Sequence, residues 1–324
     1  MRTPTDDMVE NSNNHSKSTD KIIPRRFVIS APEAKAMAEQ RNLTLPNLLP
    51  SLVPMAQSLS RAPISNYPVG AVGLGISGRI YLGANLEFPG LPLHHSVHAE
   101  QFVITVAVSV AASDSISEQI THIAVSSFPC GHCRQFLQEL RSASDIQIFV
   151  TSSSSLSFIP LSTLLPHPFG PTDLLHRDAL LLLEQKDNNI IIQEEEERDG
   201  TVICKKSERV QYETEVKKAA ERAARRAHAP YSGCPTGFAM GDEKGRIFSG
   251  SYAESAAYNP SLGPIQAAMI GFVGGGGGEY GSIVTAALVE TKGSLVSQES
   301  TARILLEKVA PMCTLHVYHC TLKI

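Results

Sequence analysis

No apolar run in this 324-residue chain is long enough to cross a membrane. The longest mostly apolar stretch, Phe102 to Ala112, falls short of the roughly 18 residues a span needs. Cysteine is scarce: six residues are too few for a disulfide scaffold at this length and suit a reducing compartment. An excess of one charge is missing as well. Lys plus Arg number 28 against 32 Asp plus Glu, a formal charge of −4, so no strong field draws the whole chain onto polyanions. The opening segment, MRTPTDDMVENSNNHSKSTDK, lacks the apolar core of a signal peptide. Asp6, Asp7 and Glu10 argue against the acid-poor helix of a transit peptide. Residues 1–21 are therefore expected to be disordered and the chain to be cytoplasmic, with no membrane partner.

What remains is an ordinary globular composition, 42% hydrophobic and 19% charged, long enough for two domains. Apolar residues at helical spacing between Ala31 and Ser60 predict two helices broken near Pro46. Val69 to Phe88 reads as strand, Gly78-Arg79 turn, strand. Val97 to Ala112 predicts a helix buried on most sides, His122 to Ser127 a short strand, Gly131 to Arg141 an amphipathic helix, and Ile146 to Thr151 another strand. This alternation implies a layered α/β domain, a sheet covered by helices. Between Gln185 and Tyr212 the composition shifts: the acidic run Glu194 to Glu197, then Asp199-Gly200 and Lys205-Lys206, mark a solvated linker with one strand near Asn189 to Gln193. The expected division is a tail at 1–21, a first domain at 22–184, a linker at 185–212 and a second domain at 213–324.

The second domain repeats the first. Ala62–Glu87 lies on Ala229–Glu254 without a gap at an offset of 167, and ten of the 26 positions match, among them Pro63/Pro230, Gly70/Gly237, Gly78/Gly245, Gly83/Gly250 and Glu87/Glu254. Ordinary usage would give about two matches. Helical segments precede both copies, Ser51 to Ser60 and Glu213 to Ala227.

Chemistry concentrates in His98-Ala99-Glu100 and Pro129-Cys130-Gly131-His132-Cys133. Cys-x-x-Cys alone fits a redox pair or half of a structural zinc site. With His-x-Glu upstream and Pro before the first Cys, it matches the signature of zinc nucleobase and nucleoside deaminases. His98, Cys130 and Cys133 supply three ligands and leave a fourth position for water; zinc lowers that water's pKa, and Glu100 is placed to move its proton. The competing reading is a structural zinc closed by His132, His94 or His95. His132 is otherwise expected to face solvent or cap the helix. Cys204, Cys234, Cys313 and Cys320 share no spacing and are expected to be small buried apolar residues.

The segments GANLEFPGLPLHHSVHAEQ, PCGHCRQFLQEL, His167 to Pro171, and HAPYSGCP with GRIFSGSYAESAAYNPSLGP resemble the homodimeric, two-domain zinc cytidine deaminases of bacteria and plants. The likeness runs from about Ser30 onward. It implies the cytidine deaminase-like three-layer fold, a mixed sheet flanked by helices, duplicated into a catalytic first copy and a non-catalytic second. It also implies one Zn2+ per chain, a homodimer, free cytidine and deoxycytidine as substrates in pyrimidine salvage, and no nucleic-acid partner. By the same resemblance Asn85 and Glu87, on one face of a strand, would bind the ribose, Tyr67 would pack on the pyrimidine, and the backbones of Ala99 and Cys130 would contact the base. Tyr258 would reach across the dimer or sit as a core aromatic. For Glu87 a fold role stays open, because Glu254 repeats it where chemistry is absent. At the offset of 167, His98 and Glu100 fall on Ile265 and Ala267, and Cys130 and Cys133 on Ser297 and Ser300. A weakened or inactive scaffold and a polynucleotide-editing deaminase are the alternatives.

Overall fold

The computed structural model describes residues 27–154, 157–193 and 208–323. The tail expected at 1–21, the acidic run Glu194 to Glu197 and Cys204 lie outside them. The first sheet contains β1 (Val28–Ile29), β2 (Gly70–Gly75), β3 (Ile80–Ala84), β4 (Ile120–Val125), β5 (Gln147–Val150) and β6 (Ile159–Pro160), in the order β1-β3-β2-β4-β5-β6. Only β4 and β5 run parallel. Its helices are α1 (Ala31–Gln40), α2 (Leu45–Gln57), α3 (Ala99–Asp114), α4 (Gly131–Phe136), α5 (Leu161–Leu164) and α6 (Pro171–Leu174). The second sheet is β7 (Ile190–Ile192), β8 (Gly237–Asp242), β9 (Ile247–Ser251), β10 (Ile283–Thr291) and β11 (Thr314–Leu322), ordered β7-β11-β10-β8-β9, with α7 (Glu208–Arg225), α8 (Pro264–Gly274) and α9 (Glu299–Val309). Among the described residues no helix is long and apolar enough to cross a membrane.

The repeat in the sequence is a repeat in topology. The run β3-β2-β4-β5 has the same order and strand senses as β9-β8-β10-β11. Each sheet is sandwiched. Residues 70 and 73 face opposite sides of β2; a Cβ at Gly70 would strike α2 at Gln57 N, 2.4 Å, and one at Gly73 would strike α3 at Val103 Cγ1, 2.6 Å. In the second copy Gly237 lies against Ala224 of α7 and Gly250 against Ala268 of α8 in the same way. Both hairpin turns carry a glycine in the left-handed region, Gly78 at φ 79° and Gly245 at φ 76°, where a Cβ is costly.

The two copies do not form separate cores. One continuous buried apolar cluster joins the first sheet, α3, α8 and the second sheet, while a smaller one sits beneath α7 around Ile190, Val216 and Ala220. Phe27 stacks on Phe102 at 4.9 Å and Phe88 meets Tyr280 across the two copies at 5.8 Å. β7 and the first turn of α7 fall within residues 185–212, and β7 pairs antiparallel with β11.

One local expectation needs correcting. The helix predicted from Gly131 to Arg141 ends at Phe136 and tightens into a 3-10 turn over Leu137–Glu139. That turn delivers the fully buried Glu139 carboxylate to donors of the second copy. The break expected near Pro46 is present, between Gln40 and Leu45, and α2 then runs on through Pro50 and Pro54.

A methyl group at Gly83 would lie 2.4 Å from Ala99 O and 2.7 Å from Val103 N, forcing α3 off the sheet. Gly83→Ala is expected to cost about 1–3 kcal/mol in urea unfolding. Gly281→Ala, where a Cβ meets nothing within 4 Å, should stay within about 0.5 kcal/mol.

Candidate metal centre and active-site cavity

Two helices begin at one place. His98 is the residue before α3, in extended conformation, and its N–H is accepted by Gln101 Oε1 at 3.2 Å, the reciprocal cap of the first turn. Cys130 holds the corresponding position before α4, and Cys133 lies in that helix's first turn. Extended backbone at both caps lets the side chains turn toward each other. His98 Nδ1 stands 3.5 Å from Cys130 Sγ, and the Cys133 thiol donates to Glu100 Oε2 at 3.3 Å. His98, Cys130, His132 and Cys133 each bring a donor atom into one cluster whose members all lie within 4.8 Å of one another, the one such group among the described residues.

The electrostatics follow from this crowding. Hydrogen bonds from Cys133 and from the His98 imidazole hold the half-exposed Cys130 sulfur down at about 3, so it is a thiolate. The same sulfur, through its hydrogen bond, pushes His98 up against the opposing effect of burial. Cys133, beside that thiolate and buried, is pushed well above the ordinary thiol range. Burial raises Glu100. A thiolate, a second thiol and an imidazole packed together invite a cation that takes soft donors. Zinc fits: bonds of about 2.3 Å to sulfur and about 2.0 Å to nitrogen at a tetrahedral angle set S and N about 3.5 Å apart, matching the 3.5 Å between Cys130 and His98.

His132, expected to face solvent or to cap the helix, instead packs against the second copy. It is half-buried, its ring lies 5.1 Å from that of His98, its Nε2 donates to Asn259 O at 3.2 Å, and its Nδ1 is buried without a partner. The His sits on α4 under a loop of the second copy, a packing that single-sequence spacing does not reveal.

Beside the donors opens a cavity of about 580 Å³ lined by Tyr67, Asn85, Glu87, His98, Glu100 and Cys130, with Ala99 also at its wall. Ala99 is itself fully buried. Tyr67 is 59% exposed and its hydroxyl pairs with Ser127 Oγ at 2.8 Å, the partner a phenol here requires. Asn85 and Glu87 are brought to the cavity already engaged. Asn85 Oδ1 accepts from Ser60 Oγ (2.6 Å) and Val69 N (2.9 Å), and its Nδ2 donates to Tyr67 O. Glu87 accepts from Ile64 N, Ser65 N and Ser65 Oγ; against the upward push of burial these donors keep it below the usual carboxylate range. Glu254 is cradled by Tyr231 N, Ser232 N and Ser232 Oγ in the same manner. The cradle is thus a property of the fold in both copies, and Asn85, replaced by Tyr252, is particular to the first.

The structure also resets the register of the degenerate copy. The bridge Leu86–Val97 of the first copy becomes Ala253–Leu262, two residues shorter, so the cap His98 corresponds to Gly263, a separation of 165. Glu100 therefore falls on Ile265, and Gln101 on Gln266. The cap Cys130 corresponds to Gln298, a separation of 168, and Cys133 to Thr301. The individual positions read at an offset of 167 move, but the metal donor set is absent on either register.

Two regions, residues 48–149 and 161–303, match family models described as the cytidine and deoxycytidylate deaminase zinc-binding region. The chain is 47% identical to Cytidine deaminase 1 of Arabidopsis thaliana, covering 91% of this chain and 97% of that one. The chain belongs to the cytidine and deoxycytidylate deaminase family. Similarity to this family extends to Cytidine deaminase 6 of the same plant, 45% identical over 91% of this chain and 98% of that one. It reaches the cytidine deaminase of Aeromonas hydrophila subsp. hydrophila at 39%, over 79% and 78% of the respective chains. The fold is the mixed-sheet, helix-flanked deaminase architecture in tandem, and the His/Cys group agrees with a zinc-binding domain.

In metal-free protein, iodoacetamide should alkylate Cys130, exposed and ionised, well before buried Cys133. Zinc should protect both. Peptide mapping after timed quenching reads the order, and equal labelling of the two sulfurs would contradict it.

Proposed function

We propose that the chain hydrolyses the 4-amino group of free cytidine and 2′-deoxycytidine, giving uridine or deoxyuridine and ammonia. The observation that carries this reading is the position of Glu100: a buried carboxyl between a three-donor metal set and a cavity sized for a small molecule. His98, Cys130 and Cys133 hold one zinc per chain. When bound, zinc polarises a water molecule and lowers its pKa toward neutrality. Glu100 takes a proton from the attacking water and delivers it to ring N3, which makes C4 electrophilic. Oxygen bonds to C4, Glu100 passes the second water proton to the amino nitrogen, and the C4–N bond breaks to release ammonia. A carboxyl raised by burial is suited to hold a proton between these transfers. Asn85 and Glu87 face the sugar, Tyr67 the base, and the backbones of Ala99 and Cys130 the ring edge.

In this reading residues 22–184 carry the reaction and 213–324 do not. The active unit is a homodimer acting in cytoplasmic pyrimidine salvage. Tyr258, 66% exposed, is the aromatic available to a neighbouring subunit. Net charge of −4 supports a free nucleoside over a polynucleotide, whose binding draws on basic grooves.

One observation favours a second reading. His132 belongs to the donor cluster and its Nδ1 is buried without a partner, and a fourth protein ligand would make the zinc structural. The two readings part on variants. Hydrolytic catalysis expects Glu100→Ala to keep zinc and lose about 10²–10⁴-fold in turnover, Cys130→Ala to lose zinc, and His132→Asn to keep it. Metal analysis and ammonia release from cytidine on the same preparations decide; full turnover by Glu100→Ala would refute the role given to that residue.

A further inference from the structure

One loop of the degenerate copy makes three polar contacts with α3, α4 and the turn that follows α4. Ala253 and Leu262 pair with each other in both directions, at 3.1 and 2.8 Å, closing the loop at its base. Inside it Ser255 N donates to Ser261 Oγ, Tyr258 N to Ser255 O, and Ser261 N to Tyr258 O. Tyr258 itself sits at φ 62°, a left-handed conformation that is unfavourable for a bulky side chain and persists only where the surroundings over-determine it. The loop is therefore fixed by its own bonds.

From this loop Pro260 O accepts from Gln101 Nε2 at 3.1 Å, Asn259 O accepts from His132 Nε2 at 3.2 Å, and Ala256 N donates to Glu139 Oε1 at 2.7 Å. Gln101 is the residue after Glu100, and its other amide atom accepts the His98 N–H. His132 lies between Cys130 and Cys133. Glu139, fully buried at the end of the turn that follows α4, takes two further donors from the second copy at its other oxygen: Tyr231 Oη–H at 2.8 Å and His228 Nε2 at 3.0 Å. Lys186 Nζ stands 2.9 Å from His228 Nδ1; its ammonium donating there leaves the other ring nitrogen as donor to Glu139.

We propose that the loop Ala253–Leu262 braces the metal donors of the first copy, with Gln101 and Glu139 as the positioning residues through which it acts. This rests on the assignment of His98, Cys130 and Cys133 as the zinc ligands. The second copy supplies an internal comparison. Gln266, the counterpart of Gln101, stands at the same helix position, yet its Oε1 is buried without a partner, and the cap residue there is Gly263 rather than a ligand. The complete bridge, from cap N–H through one side-chain amide to the neighbouring copy, accompanies the donor set and is incomplete where that set is missing. A simple interdomain contact would not need to terminate on both donor-bearing helices.

The test uses the full-length, zinc-loaded protein and the variants Gln101→Met and Glu139→Gln. Zinc release to an excess of a chromogenic chelator, kcat and KM for cytidine, and thermal midpoint are measured on each. The brace expects zinc release about 10-fold faster or more and kcat lower by about 10–100-fold, with KM within about twofold and the double variant losing less than the product of the single losses. Should Glu139→Gln not fold, Tyr231→Phe removes one donor from the same carboxylate and should speed release by about threefold. Wild-type release and kcat in the variants, or a lowered thermal midpoint with unchanged release, would overturn the brace. Turnover by the wild type is judged separately: zinc-loaded protein that releases no ammonia from cytidine refutes the catalytic reading and leaves the chelator comparison to decide the brace.

Discussion

The convergence of two helix starts governs the first half of this molecule. His98 and Cys130 are extended residues at the caps of α3 and α4, and Cys133 sits in the first turn of α4. The glycines of β2 and β3 are what let α3 approach that closely, since at Gly83 the helix backbone occupies the space of a Cβ. Sheet composition, helix placement and donor geometry are thus one constraint. Loosening the first changes the last.

That dependence explains which features were legible from sequence. The donors, the helices that carry them and the doubled topology all derive from local signals: His-x-Glu, Pro-Cys-x-x-Cys, a long apolar segment, and glycines recurring at one offset. Gln101 also left a local trace, being three residues from the cap, yet nothing nearby announces that its amide reaches Pro260. His132 and Glu139 are similar cases. A polar residue on an amphipathic helix reads as solvated until a second domain covers it, and the partners here are 127 and 117 residues distant in sequence. The truncation of α4 has the same origin, because the turn at Leu137–Glu139 is oriented by acceptors and donors that the helix's own sequence does not contain.

The register of the degenerate copy failed for a different reason. A gapless comparison is sound within the hairpin, where strand pairing fixes every residue, and it breaks in the following loop, where two residues are missing between Ala253 and Leu262. A period of two along strands and of 3.6 along helices punishes a slip; a loop tolerates one. The offset of 167 is a property of the sheet and does not extend past its end.

Duplication poses the question of what a copy without ligands is retained for. Glu254 keeps the cradle of Tyr231 N and Ser232 that Glu87 has with Ile64 N and Ser65, so this carboxylate is maintained where there is no donor set to serve. Its persistence follows from the three partly buried donors that it satisfies. The site residues of the second copy therefore divide by physics. Those that satisfy backbone groups remain, whereas Gly263, Ile265, Gln298 and Thr301 stand where a metal would have compensated a histidine, a carboxylate and two sulfurs. Without that ion, a crowded acid and thiols would be a buried liability, and apolar or neutral replacements relieve it. The first copy can keep such a group only because its charges have one another, and a metal, to balance them.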